Sequence, residues 1–307
     1  MEFLRLLRPR DLPFNTALVL QYDGTRYAGF QRQKNGISVQ ELLEKAIAIA
    51  LRENVRISCS GRTDSGVHAT GQVAGFRSSI PVTEPRRFLF SLNGLLPPDI
   101  AIRRVIPVAR EFDPRFSCLA REYEFLYWVG GKTPYWPGKA WCRRFPFNIE
   151  ALNAELLEIL GERNFGSLTP VRYVGKATVR YLETANLSVR NDPFSGDPHL
   201  VVLSVRGNAF LHNMIRILAG CIAARSLNKI GSIAEVVAAT SRFKAGPTAP
   251  PHALYFKRAL YAPGSGEGLE TVDWSADHPL NRIHARGIQR HAETGRRLSD
   301  VSSNQTE

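Results

Sequence analysis

Residues 61–72 read GRTDSGVHATGQ, a polar, glycine-rich stretch between two predicted strands, Val55 to Ser60 and Val73 to Arg77. Its only carboxylate is Asp64, which stands two residues from Arg62. Glycine residues let a backbone take turns that place a side chain at the end of a strand. Asp64 is therefore a candidate functional residue. The alternative is an ordinary turn, in which its side chain caps backbone amides.

The segments on either side of this loop alternate between strand and helix patterns. Strand patterns lie at 15–23 (NTALVLQYD) and 101–108, and helix patterns lie at 39–51 and about 84–94. Ser38 and Glu41 predict a capping box at the start of the first helix. This order predicts an α+β fold, with helices on one face of a mainly antiparallel sheet.

The pattern restarts after about residue 110. Strand patterns lie at 121–129, about 174–190, 200–206 and 253–260, and helix patterns lie at 148–160, about 210–227 and from Ser232. We therefore expect two α/β halves, residues 1–110 and 111–263, joined at a central basic cleft. Residues 264–307 begin with GSGEG and are polar, which predicts a disordered tail. A tail that orders on RNA or on a partner subunit is the alternative.

The chain of 307 residues has a formal net charge of +12. Residues 264–307 hold five arginines and seven acidic residues, so residues 1–263 carry +14. The excess charge therefore belongs to the part of the chain that is expected to fold. A basic folded body favours a polyanionic partner, nucleic acid first, although a protein can be basic without one.

Several classes of protein and of site are not predicted. No apolar run reaches about 18 residues, so no transmembrane helix is expected, and the N-terminal segment lacks the pattern of a secretory signal, which favours the cytoplasm. The sequence has no P-loop, and its histidines and carboxylates do not cluster at metal-ligand spacings. The four cysteines, at 59, 118, 142 and 221, form no C-x-x-C pair and are expected to be reduced and mostly buried.

Two further segments carry candidate residues. In FDPRFSCLAREYEFLYWV (112–129), Arg115 and Arg121 stand near Tyr123, a combination suited to unpaired bases, although the alternating aromatics also fit a core face. In NAFLHNMIRILAG (208–220), Arg216 lies in an apolar helix, where a buried guanidinium needs an anion. That anion is either Asp64 or a structural partner elsewhere. His68 and His212 are weaker candidates for a general base.

Together these segments resemble the tRNA pseudouridine synthase A family. The matching stretches are YDGTRYAGFQRQ (22–33), SVQELLEKA (38–46), GRTDSGVHATGQVAGF (61–76), FDPRFSCLAREYEF (112–125), FLHNMIRILAG (210–220) and AGPTAPPHALYF (245–256). They follow the family's order and cover the chain from about 15 to 262.

The resemblance implies a pseudouridine synthase fold and an isomerase that converts uridine to pseudouridine at positions 38 to 40 of the tRNA anticodon arm. It implies no metal, no organic cofactor, and a homodimer whose two subunits both contact the RNA. By the same resemblance, Asp64 is the catalytic residue and Arg216 pairs with it. Arg62 is expected to help hold the flipped-out nucleotide, and Tyr123 to pack on the target base.

Two segments depart from the family pattern, and two other functions stay open. The family often has His-Asp-Phe-x-Ser-Phe where this chain reads Arg-Asn-Phe-Gly-Ser-Leu (163–168), and residues 264–307 extend beyond its usual end. A non-catalytic RNA-binding module would use the same aromatic strand. A nucleoside glycosidase usually needs a second carboxylate to activate water, which the loop at 61–72 does not offer.

Overall fold

The structure is a computed structural model, and it describes residues 12–34, 36–173, 177–273, 275 and 277–286. The strands are β1 (Phe14–Tyr22), β2 (Ile57–Cys59), β3 (His68–Ser78), β4 (Ile100–Pro107), β5 (Ala120–Trp128), β6 (Trp141–Cys142), β7 (Gly161–Asn164), β8 (Val179–Arg190), β9 (Leu200–Gly207) and β10 (Leu254–Leu260). The α-helices are α1 (Val39–Leu51), α2 (Pro85–Leu95), α3 (Ile149–Leu157), α4 (Met214–Ser226), α5 (Ile233–Ala238) and α6 (279–286).

These ten strands form one sheet in the order β4-β1-β3-β10-β5-β9-β8-β7, with β2 added beside β3 and β6 beside β5. Within the described chain, the β3–β10 and β5–β6 pairs are parallel and the other pairs are antiparallel. The prediction of an α+β fold with a mainly antiparallel sheet is confirmed. The sheet is continuous because β10 pairs with β3 on one side and with β5 on the other. The division of the chain at residue 110 stays a prediction.

The strand β5 shows how the two faces of the sheet differ. Tyr123, Phe125 and Tyr127 point into the hydrophobic core that the helices cover. The intervening Glu122 and Glu124 lie on the other face, since successive side chains of a strand point to opposite faces. There they pair with cations of β8, β9 and β10, Glu122 with Arg206 and Arg258, and Glu124 with Arg190 and Lys257.

Some element boundaries differ from those predicted. The strand β3 begins at His68 rather than Val73, because Ala69 and Gln72 already pair with β1, so the loop that carries Asp64 is shorter than expected. The helix α4 begins at Met214 rather than near 210. Asn213 has a left-handed φ of 59°, so the residues before it are not part of the helix. The short strands β6 and β7 were not predicted.

The N-terminal caps of α1 and α5 also differ from each other. Ser232 and Glu235 form the complete capping box at the start of α5. At α1, the Ser38 side chain accepts a hydrogen bond from the backbone N–H of Glu41, but the Glu41 carboxylate binds Lys45 instead of returning to the cap. Only half of the predicted box is therefore present there.

Part of the segment after residue 263 packs against the body of the protein. Leu269 and Leu280 are buried, and Glu270 forms an ion pair with Arg258 at 3.0 Å. Residues 287–307, which the predicted disordered tail also includes, lie outside the described residues. None of the described helices is both long and apolar enough to cross a membrane.

Candidate active site

A cavity of about 670 Å³ opens beside the loop between β2 and β3. Its walls also include the start of β5, the start of β8 and the chain before α4. Four arginines line it, namely Arg62, Arg115, Arg121 and Arg180. Among the described residues of its lining, Asp64 is the only carboxylate. The cavity is therefore basic, with one negatively charged group at its wall.

The loop that carries Asp64 is held by the last residue of β1 and by the segment that follows it. The hydroxyl groups of Tyr22 and Thr63 are hydrogen bonded at 2.8 Å, and the backbone N–H of Phe30 donates to the carbonyl oxygen of Thr63 at 3.2 Å. Gly29 lies against the same carbonyl with a φ of +96°, and a Cβ there would be 2.5 Å from the Thr63 oxygen. Only glycine fits this approach, which explains the glycine of the YDGTRYAGF stretch.

The Asp64 carboxylate lies between two cationic or titratable groups. Its Oδ2 is 3.7 Å from Nη1 of Arg216, and its Oδ1 is 3.7 Å from Nδ1 of His212. Both separations are within ion-pair range but longer than a hydrogen bond. The carboxylate is one-third exposed, at 33%, and it faces the cavity. The carboxylate of Asp64 thus lies near the positive charge of Arg216, at a distance longer than a hydrogen bond.

Arg216 is fixed from behind the cavity wall. Its Nε donates to the carbonyl oxygen of Ala249 at 2.8 Å, and its Nη1 donates to Oδ1 of Asn213 at 2.8 Å. Burial lowers the pKa of Arg216, and the nearby Asp64 carboxylate opposes that shift. An arginine stays charged at neutral pH even so, because its ordinary pKa is above 12. The structure therefore brings together the arginine and the aspartate that the sequence analysis paired.

Tyr123 lines the cavity but is 7% exposed. Its ring contacts Phe210 and Phe256 edge to face, with ring centroids 5.2 and 5.0 Å apart. Burial raises the pKa of its hydroxyl well above the usual range, so the group is neutral at physiological pH. The ring is thus a rigid wall, because two other rings fix it.

Two arginines of the lining, Arg62 and Arg121, differ in how available their guanidinium groups are to a ligand. Arg62 is exposed on the cavity wall. Arg121 is engaged with backbone carbonyls, since its guanidinium donates to Ser60, Asn208 and Arg115. Its hydrogen bonds therefore connect the start of the Asp64 loop, at Ser60, to the chain before α4, at Asn208. Of the two, Arg62 is the one available to a ligand.

Two other reactive groups near the site, Cys59 and His68, are not suited to take part in catalysis. Burial raises the pKa of the Cys59 thiol to about 12, so it is protonated at neutral pH. His68 is buried, and its two ring nitrogens are engaged with the backbone N–H of Gly24 and the carbonyl oxygen of His252. Its ring also stacks on Tyr255. We assign His68 a structural role, whereas His212 lies at the cavity.

Arg180 of β8 is a cavity residue that the sequence analysis missed. Its Nη1 donates to the carbonyl oxygens of Ala177 and Val179, and its Nε is buried without a hydrogen-bond partner in the described structure. Burial lowers its pKa. No motif marked this residue, because it reaches the cavity only through the pairing of β8 with β9.

No three His, Cys, Asp or Glu side chains of the described chain approach one another in a way that could hold a metal ion. The segment that departs from the family pattern is part of the core, since Phe165, Ser167 and Leu168 are fully buried.

Comparisons with known proteins show which family the chain belongs to. A sequence model of a family described as tRNA pseudouridine synthase matches residues 18–117 and 157–262. The chain is 36% identical over 249 residues to a tRNA pseudouridine synthase A from Geobacter sulfurreducens, covering 80% of this chain and 98% of the relative. It is 37% identical over 252 residues to the protein of the same name from Myxococcus xanthus, covering 80% and 92%.

A third relative, tRNA pseudouridine synthase A from Aeromonas hydrophila, is 38% identical over 246 residues, covering 78% of this chain and 87% of its own. The family model spans both halves of the sheet, and the matched ranges include Asp64 and Arg216. The chain therefore belongs to the tRNA pseudouridine synthase family.

Proposed function

We propose that this protein isomerises uridine to pseudouridine at positions 38, 39 and 40 of the tRNA anticodon arm, with Asp64 as the catalytic residue. Membership of the family makes it an isomerase that acts on uridine in tRNA. The observation that carries the assignment of the residue is the position of Asp64, the one described carboxylate on the wall of a basic cavity, 3.7 Å from Arg216.

The reaction breaks the glycosidic bond between C1′ and N1 and forms a bond between C1′ and C5 of the same base. C5 loses its proton and N1 gains one, so the product is an isomer of the substrate. One carboxylate is enough to start this, by adding at C6, by adding at C1′, or by taking a proton from the sugar. Each route needs the ionised form of Asp64, and the guanidinium of Arg216 lies 3.7 Å from its Oδ2.

The target nucleotide lies in or next to a stem and has to leave it to reach Asp64. Extruding a base costs a few kcal/mol. Packing of the base against the ring of Tyr123 would offset roughly 1–3 kcal/mol of that cost. Arg62, exposed on the same wall, is placed to hold the phosphate or sugar of the extruded nucleotide. The fixed ring and the free guanidinium support these roles.

The substitution Asp64→Asn tests the proposal directly. It keeps the size of the side chain but removes its charge, so we expect no measurable turnover, while tRNA binding stays within a few-fold of the unaltered protein. Tritium release from tRNA labelled at C5 of uridine measures turnover, and a filter-binding assay measures affinity. Asp197→Asn is the matched control, because Asp197 is exposed and outside the cavity lining.

The outcomes separate the three candidate functions. Substantial tritium release by the Asp64→Asn variant would refute the catalytic role of Asp64. A non-catalytic RNA-binding module would bind tRNA and release no tritium in any form. A nucleoside glycosidase would release free uracil, whereas an isomerase keeps the base on the RNA. Mapping pseudouridine in the treated tRNA identifies the modified positions.

Three further expectations accompany the proposed function. The protein is expected to work in the cytoplasm, where its tRNA substrates are. It is expected to be a homodimer in which the RNA contacts both subunits, and to need neither a metal nor an organic cofactor. The resemblance to the family supports each of them.

A further inference from the structure

The segment that follows the family-matched residues packs against the sheet. The family model ends at residue 262, and α6 lies beyond it at 279–286. Leu280 of α6 is fully buried in a cluster with Ala120 of β5 and Leu260 of β10. The strands β5 and β10 are neighbours in the middle of the sheet. A hydrophobic contact thus anchors α6 to the centre of the molecule.

A second contact joins α6 to the turn that carries Arg115. Nε2 of His284 lies 2.6 Å from the carbonyl oxygen of Phe116. The preceding residue, Arg115, is exposed and lines the cavity. The guanidinium of Arg121 also holds the carbonyl oxygen of Arg115. The turn that presents Arg115 is therefore held from inside by the cavity wall and from outside by α6.

The outward side of α6 is basic. Arg282 and Arg286 are both exposed, and their i, i+4 spacing places them on one face of the helix. Neither forms an ion pair with another described residue. The charge of the segment is also segregated along the sequence. Residues 264–277 contain four acidic residues and no basic ones, whereas residues 278–297 contain five arginines and one glutamate.

We propose that Arg282 and Arg286 bind backbone phosphates of the tRNA whose target uridine enters the cavity. This inference rests on the proposed function, because it takes the ligand to be the substrate. The two exposed guanidinium groups stand on the helix that contacts the carbonyl of Phe116, the residue after Arg115 of the cavity lining. Arginine binds phosphate oxygens through paired hydrogen bonds. Such contacts fix the position of a nucleic acid without reading its sequence. The segment after residue 263 is thereby an added RNA-binding element, not a passive tail.

The test uses the full chain with Arg282→Glu, Arg286→Glu and both together. Both side chains are exposed, so the fold is expected to be unaffected, and circular dichroism checks this. We expect the double substitution to raise the dissociation constant for tRNA about tenfold and to reduce the slope of log Kd against log salt by about 2. In turnover assays, KM is expected to rise more than kcat falls.

Two controls separate a local effect from a change in net charge. Arg282→Lys with Arg286→Lys keeps both charges, and its affinity is expected to stay within about threefold. Lys229→Glu changes the net charge as much as each single Arg→Glu substitution does. Lys229 is exposed beyond the far end of α4, roughly 20 Å along the helix axis from the end near Asp64. It is expected to leave tRNA affinity unchanged.

Equal affinity and equal salt dependence in the double variant and the unaltered protein would overturn the inference. So would a loss of affinity in Lys229→Glu of the same size, since net charge alone would then explain the result. A change in oligomeric state with unchanged tRNA affinity would instead assign α6 to a second copy of the chain. Failure of the proposed function is a separate result, because the unaltered protein would then form no pseudouridine.

Discussion

At the scale of single residues, the site depends on how the guanidinium of Arg216 is oriented. Two acceptors, the carbonyl oxygen of Ala249 and the side chain of Asn213, hold it at 2.8 Å each. Its contact with Asp64 is longer, at 3.7 Å. The arginine is therefore positioned by the protein and not by the carboxylate. In the proposed reaction, Asp64 can therefore change its charge or its partner without releasing Arg216.

This arrangement predicts that charge alone does not replace Arg216. Arg216→Ala removes the cation near Asp64, and we expect turnover to fall about 100-fold or more, as for other fixed electrostatic groups in active sites. Arg216→Lys keeps a charge, but an ammonium group cannot donate to Ala249 and Asn213 in the geometry of a guanidinium. We therefore expect Arg216→Lys to remain well below the unaltered protein. Single-turnover tritium release measures both variants.

A control for this experiment lies on the same helix. Arg225 of α4 forms an ion pair with Glu155 at 2.8 Å and lies outside the cavity lining. Arg225→Ala is expected to affect stability slightly and turnover not at all. If Arg216→Ala turned over tRNA at the normal rate, Arg216 would have no part in the mechanism.

The sequence predicted the identity of these residues but not how they are held. Asp64, Arg62, Tyr123 and Arg216 could be named because each lies in a distinctive segment. The support of Arg216 could not be predicted, since one acceptor is a backbone carbonyl 33 residues away. Backbone carbonyls carry no residue-specific signal in a sequence. For the same reason, the engagement of Arg121 with four backbone carbonyls was not foreseen.

At the scale of elements, α4 and the loop at 245–252 form one unit. Gly220 of α4 lies directly against the backbone of Pro247, and a Cβ at Gly220 would overlap the carbonyl oxygen of Pro247. The backbone N–H of Ala249 donates to the carbonyl oxygen of Arg216 at 3.0 Å, while the Arg216 side chain binds Ala249 in return. The close approach at Gly220 thus sets the distance between Arg216 and its acceptor.

Two glycine substitutions with opposite expected signs test this contact. Gly220→Ala forces the loop away from α4, and we expect a loss of about 1–3 kcal/mol in the free energy of unfolding, together with lower turnover. Gly94→Ala on α2 is the control, because a Cβ there meets no atom within 4 Å. It is expected to stabilise the protein by about 0.5–1 kcal/mol. Thermal and denaturant unfolding measure both. Equal stability of the two variants would contradict the close contact.

The sequence predicted most elements because their periodicity is strong, and it failed where the signal was weak. The helices α1, α2 and α3 and the strands β1, β4 and β9 were placed to within a few residues. The two-residue β6 and four-residue β7 carry too few residues to show a period. The start of β3 was missed because Gly71 and Gln72 read as loop residues. Pairing of Ala69 and Gln72 with β1 nevertheless extends the strand to His68.

At the scale of the whole molecule, the order of the strands was not predictable from the sequence. The last strand, β10, lies at the centre of the sheet between β3 and β5. Nothing in the residues of β10 specifies these partners, because alternation indicates a strand without naming its neighbour. The consequence is functional. β3 continues the loop of Asp64 and β5 carries Tyr123, so β10 brings both to one cavity.

The charge of the whole molecule predicts how tRNA binding depends on salt. Residues 1–263 carry +14, and the arginines Arg62, Arg115, Arg282 and Arg286 are exposed to solvent. Each phosphate that a cation neutralises adds about 0.9 to the slope of log Kd against log salt. Contacts by Arg62, Arg115, Arg282 and Arg286 therefore predict a slope of about 3 to 4. Fluorescence anisotropy at 50 to 200 mM salt measures it.

The same reasoning predicts that the chemical step is much less sensitive to salt than binding is. Arg216 is 16% exposed and Asp64 33%, and a partly buried pair is screened less than exposed charges are. With tRNA held well above its dissociation constant at every salt concentration, the single-turnover rate is expected to change by less than about twofold. A single-turnover rate that falls in parallel with affinity would mean that bulk ions reach the Asp64–Arg216 pair. That result would contradict the partial burial of the pair at the proposed active site.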